Sequence, residues 1–554
     1  MTPGGRRRTA ELVLLAALLA AEVLLLYGPI GRLWWTYDDL FHLHRLTRHS
    51  ALSYYVAPSV WRELSFRMFT PLLFSSYGLD LRLFGFAPAG FYAHALLALW
   101  AAALGVSAAL GRWLPRGLAA IGGALFLAGP PTVSWALPLM LRHYTEGLAL
   151  ASLAVWAFVG AVRGRSRRDA LLSAVLYLGA SLAKEVYVPL PVLLACLAEG
   201  SLSERLRALR PCGAALAAYL LWRRLLIGTF LGGYGWAILP REVPALIGEL
   251  PRELWRRLLG PGAAGAAVLS AVLVAAVALL LVRRRLPIAP ALGAAFALLA
   301  PLVPVAKLDK ERFAVLPWLF AAAVLLFGVR EILGFGRGAR VAAAVLVVAA
   351  AAAALAGNRL AWRQELGRSR RMSAEGRFFQ SMAPGDLLRS PALPSAAREE
   401  TRWFKEEYRR RPAGAGWFDD DFYLCAARPS GRIWEYDESE GRIVDVTESA
   451  LSRAGARCGG WKRGAPLRAS LSFSGGSLFW DFGPYTTGEY AILRNRGADA
   501  TPVERVGGYQ LSTPAISLMV RYESAARWVT YSPELTLDSR VEAKRSWERR
   551  LASR

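Results

Sequence analysis

Long apolar runs fill the first two thirds of this chain and leave few folds open to it. Residues 10–30, 88–110, 117–138, 145–162, 169–183, 186–199, 209–229, 261–282, 286–306, 313–329 and 341–357 consist mainly of Ala, Leu and Val. A helix that crosses a bilayer needs about 20 such residues. The pattern therefore predicts a polytopic α-helical membrane body over residues 1–357, with about eleven crossings. The runs 169–183 and 186–199 are short, and they can form one re-entrant pair broken at Lys184-Glu185. A mean hydropathy of +0.31 with 55% hydrophobic residues is too high for an ordinary soluble chain of 554 residues. The first run stays apolar through Leu26, beyond a usual signal-peptide core, and reads as an uncleaved anchor.

The formal net charge is +25. Nucleic acid is not needed to explain it, because the arginines gather in short loops between apolar runs. Arg6, Arg7 and Arg8 precede the first run and place the N-terminus in the cytoplasm. Alternating from there, each cytoplasmic loop is basic: Arg112 and Arg116; Arg163 to Arg168; Arg205, Arg207 and Arg210; Arg283 to Arg285; Arg330, Arg337 and Arg340. The opposite loops collect the carboxylates Asp38, Asp39, Glu63, Asp80, Glu146, Glu185, Asp309 and Glu311, so chemistry is expected on the outer face of an inner or plasma membrane. The C-terminal region, 358–554, falls on that same side.

Five stretches of the outer side carry groups suited to catalysis or anion binding. WWTYDDLFHLHRL, from Trp34, sets Asp38 and Asp39 among interfacial aromatics, where a carboxylate can take a proton from a hydroxyl. The alternative is a solvated turn. Lys184-Glu185 interrupts a long apolar stretch, where an ion must be paired or bind something. RHYTE, Arg142 to Glu146, offers a guanidinium fork that suits phosphate. KLDKERF, from Lys307 to Phe313, sets Arg312 at the edge of an apolar run. LLWRRLLIG, from Leu220, places Arg223 inside one. PRELWRRLLG, residues 251–260, reads as an amphipathic helix on the membrane surface. His42 and His44 stand two apart, a spacing that fits no standard zinc motif, and no phosphate-binding glycine motif stands in a strand–helix context.

Beyond Asn358 a helical connector is expected. From about Leu467, short aromatic segments such as SLFWDF and EYAILRN alternate between Gly, Pro, Asn and Ser breaks, predicting a mainly β, sandwich-like domain. That domain can serve as a lid or as a binding module for acceptors. WFDDDFYL, from Trp417, lacks the spacing of a calcium loop. Cys196 and Cys212 belong to apolar runs, whereas Cys425 and Cys458 can pair if their region faces an oxidising compartment.

Taken in order, these motifs resemble a GT-C membrane glycosyltransferase, nearest to the protein O-mannosyltransferase-like enzymes, including those with tetratricopeptide tails. The resemblance covers about residues 10–330. It rests on Asp38-Asp39 in the first outer loop, FTPLLFSSYGLDLRLFGFAPAGFYAHALL from Phe69, LAGPPTVSWALPLMLRHYTEGLAL, LAKE at Leu182 to Glu185, and DKERFAVLPWLF from Asp309. The chain departs from the family pattern in three places: Asp39 stands for the usual Glu of the acidic pair, AGPP lacks the family histidine, and no tetratricopeptide pattern follows. The resemblance implies inverting transfer of a hexosyl or pentosyl sugar from a polyprenyl-phosphate donor to a protein, lipid or glycan acceptor. Asp38 would remove the acceptor proton, with Asp39 positioning the acceptor or sharing that role. Lys184, Arg142, Arg312 and Arg223 would hold the donor phosphate, with Glu185, Glu146 and His143 in support; no metal or other cofactor is required. The competing readings are a transporter or lipid flippase and a non-catalytic membrane scaffold.

Overall fold

The computed structural model describes every residue except 1–2, 65–67, 231–242, 261, 284–310, 391–392, 394, 413, 419–422, 427–428, 461–466, 475–476, 495–498, 511–514, 533–534, 539–546 and 553–554. The expected span 286–306, the charges Lys307, Asp309 and Lys310, and the acids after Phe418 lie outside the described residues. Two compact units emerge. One comprises Met1–Leu33, His49–Pro58 and Phe66–Gly367; the other comprises Trp34–Arg48, Ser59–Ser65 and Arg368–Arg554.

The first unit is helical. Among the described residues, six helices or helix-containing segments are long and apolar enough to cross a membrane: Thr9–Arg32, Pro88–Leu110, Leu139–Gly164, Ala263–Val282, Arg312–Leu333 and Gly338–Phe379, the last of which runs on into the second unit. A seventh crossing forms if Arg116–Ala128 and Pro130–Ala136, bent by 56°, count as one. The chain is thus an integral membrane protein. The count is below the expected eleven: the run 286–306 lies outside the described residues, and three further runs differ for physical reasons. The run 186–199 becomes a 3₁₀ turn, Glu185–Tyr187, and a seven-residue helix, Leu190–Cys196, too short to span. The run 169–183 forms a 17-residue helix, Arg167–Ala183, and 209–229 lies in the arginine-rich helix Leu202–Ile227.

Local signals set the helix starts. Pro71 and Pro88 open their helices, where a missing N–H costs nothing and φ is already helical. Ser201 caps the Leu202–Ile227 helix with Glu204 in a reciprocal capping box. Small residues set the close packing: a Cβ on Gly123 would lie 2.6 Å from the Ala103 carbonyl oxygen, so the helices Arg116–Ala128 and Pro88–Leu110 approach only because that position is glycine.

The break at Pro130-Pro131 leaves the carbonyls ending Arg116–Ala128 without helical donors. Side chains supply them. Trp318 Nε1 donates to the Leu125 oxygen (2.8 Å), Thr132 Oγ1 to Phe126 (2.6 Å) and Tyr27 Oη to Leu127 (2.6 Å). Asn358 Nδ2 donates to Gly129 oxygen (3.1 Å) and to Tyr27 Oη (2.9 Å). A buried broken helix is tolerated because donors from three other helices replace its lost bonds.

The second unit holds two sub-structures. A four-stranded sheet runs in the order Gly416–Phe418, Leu387–Arg389, Ile433–Asp437, Arg442–Asp445; the first three strands are parallel and the last is antiparallel. Helix Thr447–Cys458 follows it, and Cys458 is disulfide-bonded to Cys425, the pairing allowed by the sequence. The sequence pattern missed this mixed sheet. Beyond Leu467 lie two antiparallel sheets, as the alternation predicts. One has the order Trp547–Ala552, Arg468–Ser474, Ser477–Gly483, Val506–Gln510. The other has Val529–Tyr531, Ala515–Glu523, Glu489–Arg494, Asp499–Val503, with Leu535–Asp538 also paired to Ala515–Glu523. Leu471, Trp480, Phe482, Ile492, Val520 and Tyr522 from both sheets share one core. Along SLFWDF, Leu478, Trp480 and Phe482 are buried while Asp481 is exposed, the period-two signature of a one-sided sheet.

Candidate functional site

Helix Arg167–Ala183 stops where Lys184 turns extended, at φ −157° and ψ 139°. The turn presents Lys184 and Glu185, and a 3₁₀ turn, Glu185–Tyr187, leads into helix Leu190–Cys196, which Pro189 caps. Arg223 reaches the same place from helix Leu202–Ile227. Its Nη1 lies 3.0 Å from Glu185 Oε1, and Lys184 Nζ lies 3.4 Å from Glu185 Oε2. The Phe69 N–H donates to Glu185 Oε1 at 2.5 Å. Lys184 is 7% exposed and Arg223 2%. Lys184 Nζ also sits 5.2 Å from the centre of the Tyr144 ring and 3.5 Å from Met68 Sδ. Phe69 packs on Tyr219 and Trp222, with centroids 5.8 and 6.0 Å away, walling the cluster with aromatic surface. Burial alone would raise the Glu185 carboxyl; Lys184, Arg223 and the Phe69 amide outweigh it and hold the group below its ordinary range. Two cations, one from the turn after helix Arg167–Ala183 and one from helix Leu202–Ile227, thus converge on one carboxylate behind aromatic walls.

Arg142 is placed differently. Its guanidinium is buried and its fork is already engaged: Nη1 contacts Asp80 Oδ2, Nη2 donates to Ser76 Oγ (2.7 Å), and Nε lies 3.0 Å from Glu146 Oε1. Ser76 Oγ donates to Glu146 (2.5 Å), and His94 Nδ1 is 2.7 Å from Asp80 Oδ1. A phosphate would have to displace two carboxylates to reach Arg142. This network ties together helices Pro71–Phe84, Pro88–Leu110 and Arg142–Gly164. Asp80 was legible as an outer acid, but Ser76 and His94 escaped sequence reasoning; the i,i+4 spacing of Arg142 and Glu146 was the available signal. His143 is buried with its ring 4.8 Å from Tyr144. Arg312 stacks on its neighbour Phe313 at 5.0 Å, and its carbonyl accepts from Trp135 Nε1 at 2.8 Å.

Asp38 and Asp39 belong to the second unit, and they are not equivalent. Asp38 is half-buried and forms the N-cap of helix Asp39–Arg48, its carbonyl accepting from the His42 N–H at 3.1 Å. Asp39 is fully buried; its Oδ2 accepts from the Thr36 N–H at 2.8 Å and from Thr36 Oγ1 at 3.3 Å. Asp39 therefore braces the turn from within, while Asp38 beside it is half-buried. His44 pairs with Glu400 at 2.7 Å. Among the described residues, no group of three or more His, Cys, Asp or Glu is arranged to hold a metal ion.

No family model matches the sequence, and no curated protein matches it. Among solved structures the chain is similar to ArnT from Cupriavidus metallidurans bound to undecaprenyl phosphate, with 15% identity, 78% of this chain and 94% of that one covered, and a TM-score of 0.41. It is also similar to the archaeal oligosaccharyltransferase AglB from Archaeoglobus fulgidus in complex with an inhibitory peptide and a dolichol-phosphate, with 10% identity, 90% and 74% covered, and a TM-score of 0.44. Likenesses at this level carry no functional argument.

Proposed function

We propose that this protein is a membrane glycosyltransferase of the GT-C type, moving a sugar from a polyprenyl-phosphate donor to an acceptor hydroxyl at the outer membrane face. The observation that carries the reading is the convergence of Lys184 and Arg223 on Glu185, deep beside a helix break in an apolar body. Such a cluster suits a lipid phosphate, whose tail is compatible with the bilayer and whose charge is not. In the reaction, the acceptor oxygen attacks the anomeric carbon. Its proton passes to Asp38, and the bond from that carbon to the phosphate oxygen breaks. Lys184 and Arg223 stabilise the charge growing on the departing polyprenyl phosphate. Asp39 keeps Asp38 in place through Thr36. Arg142 serves as a structural pin of the helices rather than as a phosphate ligand. The motif order of the sequence supports the same class, and the charge pattern of the loops supports a cytoplasmic N-terminus with an extracytoplasmic C-terminal unit.

The test supplies membranes holding the protein with a polyprenyl-phosphate sugar and follows sugar transfer. Wild type is expected to transfer, and Asp38→Asn to lose about 10²–10⁴-fold in rate, the usual worth of a general base. Equal transfer by the variant removes Asp38 from the role. Translocation of the lipid without transfer supports a flippase.

A further inference from the structure

Within the second unit, the segment from Trp34 through helix Asp39–Arg48, which Asp38 caps, is held at both ends by residues beyond Arg368. At the near end, the Trp34 N–H donates to Ser373 Oγ at 2.7 Å. The Trp34 indole lies directly over Gly376: a Cβ there would come within 2.4 Å of the ring, so only glycine admits it. The ring edge also meets Phe404, with centroids 5.9 Å apart. Tyr37, next to Asp38, takes a left-handed φ of 45° and packs against the core that contains Met372 and Phe379. A non-glycine residue holds that conformation only where its surroundings impose it. At the far end, His44 Nδ1 is 2.7 Å from Glu400 Oε2, and its ring stacks on Trp403 at 4.0 Å. Leu40 and Leu43 are buried as helix Asp39–Arg48 packs on helix Ser395–Trp403.

We infer that Ser373, Gly376 and Glu400 are positioning residues for the reaction: the C-terminal unit sets where the Asp38 carboxylate stands. This inference rests on the reading of Asp38 as the base. It gives the C-terminal unit a direct part in the chemistry, distinct from covering the site or binding an acceptor. A carboxylate displaced by about 1 Å from its reacting proton can lose 10²-fold in rate, so a Cβ driven into Trp34 is sufficient to matter.

The experiment uses the full chain with Gly376→Ala and, as a milder change that keeps shape, Glu400→Gln. Two quantities are read: amide hydrogen exchange over residues 34–48, and the kcat and donor KM of sugar transfer. The inference expects exchange over 34–48 to rise and kcat to fall at least 10-fold, with donor KM within twofold of wild type. Wild-type exchange in both variants overturns the docking. Raised exchange with unchanged kcat overturns the positioning role, as does a loss expressed only in KM. Should Asp38→Asn itself retain transfer, the reading of the base fails, while the exchange result still decides whether the C-terminal unit holds the segment.

Discussion

Glu185→Gln isolates the electrostatics of the cation cluster. The amide keeps the shape of the acid, and its oxygen still accepts the Phe69 N–H. What disappears is the negative charge 3.0 Å from Arg223 and 3.4 Å from Lys184. Breaking a buried pair by removing one partner costs about 3–5 kcal/mol. Because the Glu185 side chain is 24% exposed, the lower end applies, about 3 kcal/mol. The assay is thermal unfolding of the detergent-solubilised protein followed by tryptophan fluorescence, with and without polyprenyl phosphate. A ligand at 100 times its Kd returns about 2.7 kcal/mol, so the phosphate should restore most of the loss. The pH dependence has a definite sign. Glu185 is held below its ordinary value of 4.5, so its stabilisation is fully present above about 4.5 and is lost as pH falls through the lower folded value. The Gln variant lacks that acid-side loss. A Glu185→Gln protein within about 0.5 kcal/mol of wild type, a change typical of an exposed site, would refute the reasoning.

Arg142→Gln should destabilise the membrane unit by about 3–5 kcal/mol, because Asp80 and Glu146 lose their shared cation, yet leave affinity for polyprenyl phosphate unchanged in a lipid-binding titration. Tyr27→Phe removes the hydroxyl that joins Leu127 to Asn358 and should cost about 1–3 kcal/mol in thermal unfolding. Replacing both Cys425 and Cys458 with Ser opens a link of sequence separation 33; chain entropy sets the loss at about 3–4 kcal/mol, measurable by denaturant unfolding of the full chain.

Apolar runs translated directly into helices because a bilayer leaves the backbone few other ways to satisfy its hydrogen bonds. Lys184-Glu185 was legible for the same reason: charge inside an apolar stretch demands a partner. Strand alternation from Leu467 was equally plain. Arg142 was not, because its partners Asp80 and Ser76 arrive from another helix and turn a phosphate-like fork into a structural tie. The different surroundings of Asp38, half-buried, and Asp39, buried and bonded to Thr36, are something adjacent identical residues cannot reveal. The mixed sheet was hidden because strands such as Leu387–Arg389 and Gly416–Phe418 have only three residues each, too short for a period to register.

The most direct test of the anion site is equilibrium binding of polyprenyl phosphate to the full chain in lipid nanodiscs, comparing wild type with Lys184→Gln. Loss of one charge-assisted phosphate contact, about 1.5–3 kcal/mol, predicts affinity weakened about tenfold or more. Wild-type affinity in the Lys184→Gln protein would contradict the assignment of the lipid phosphate to this cluster.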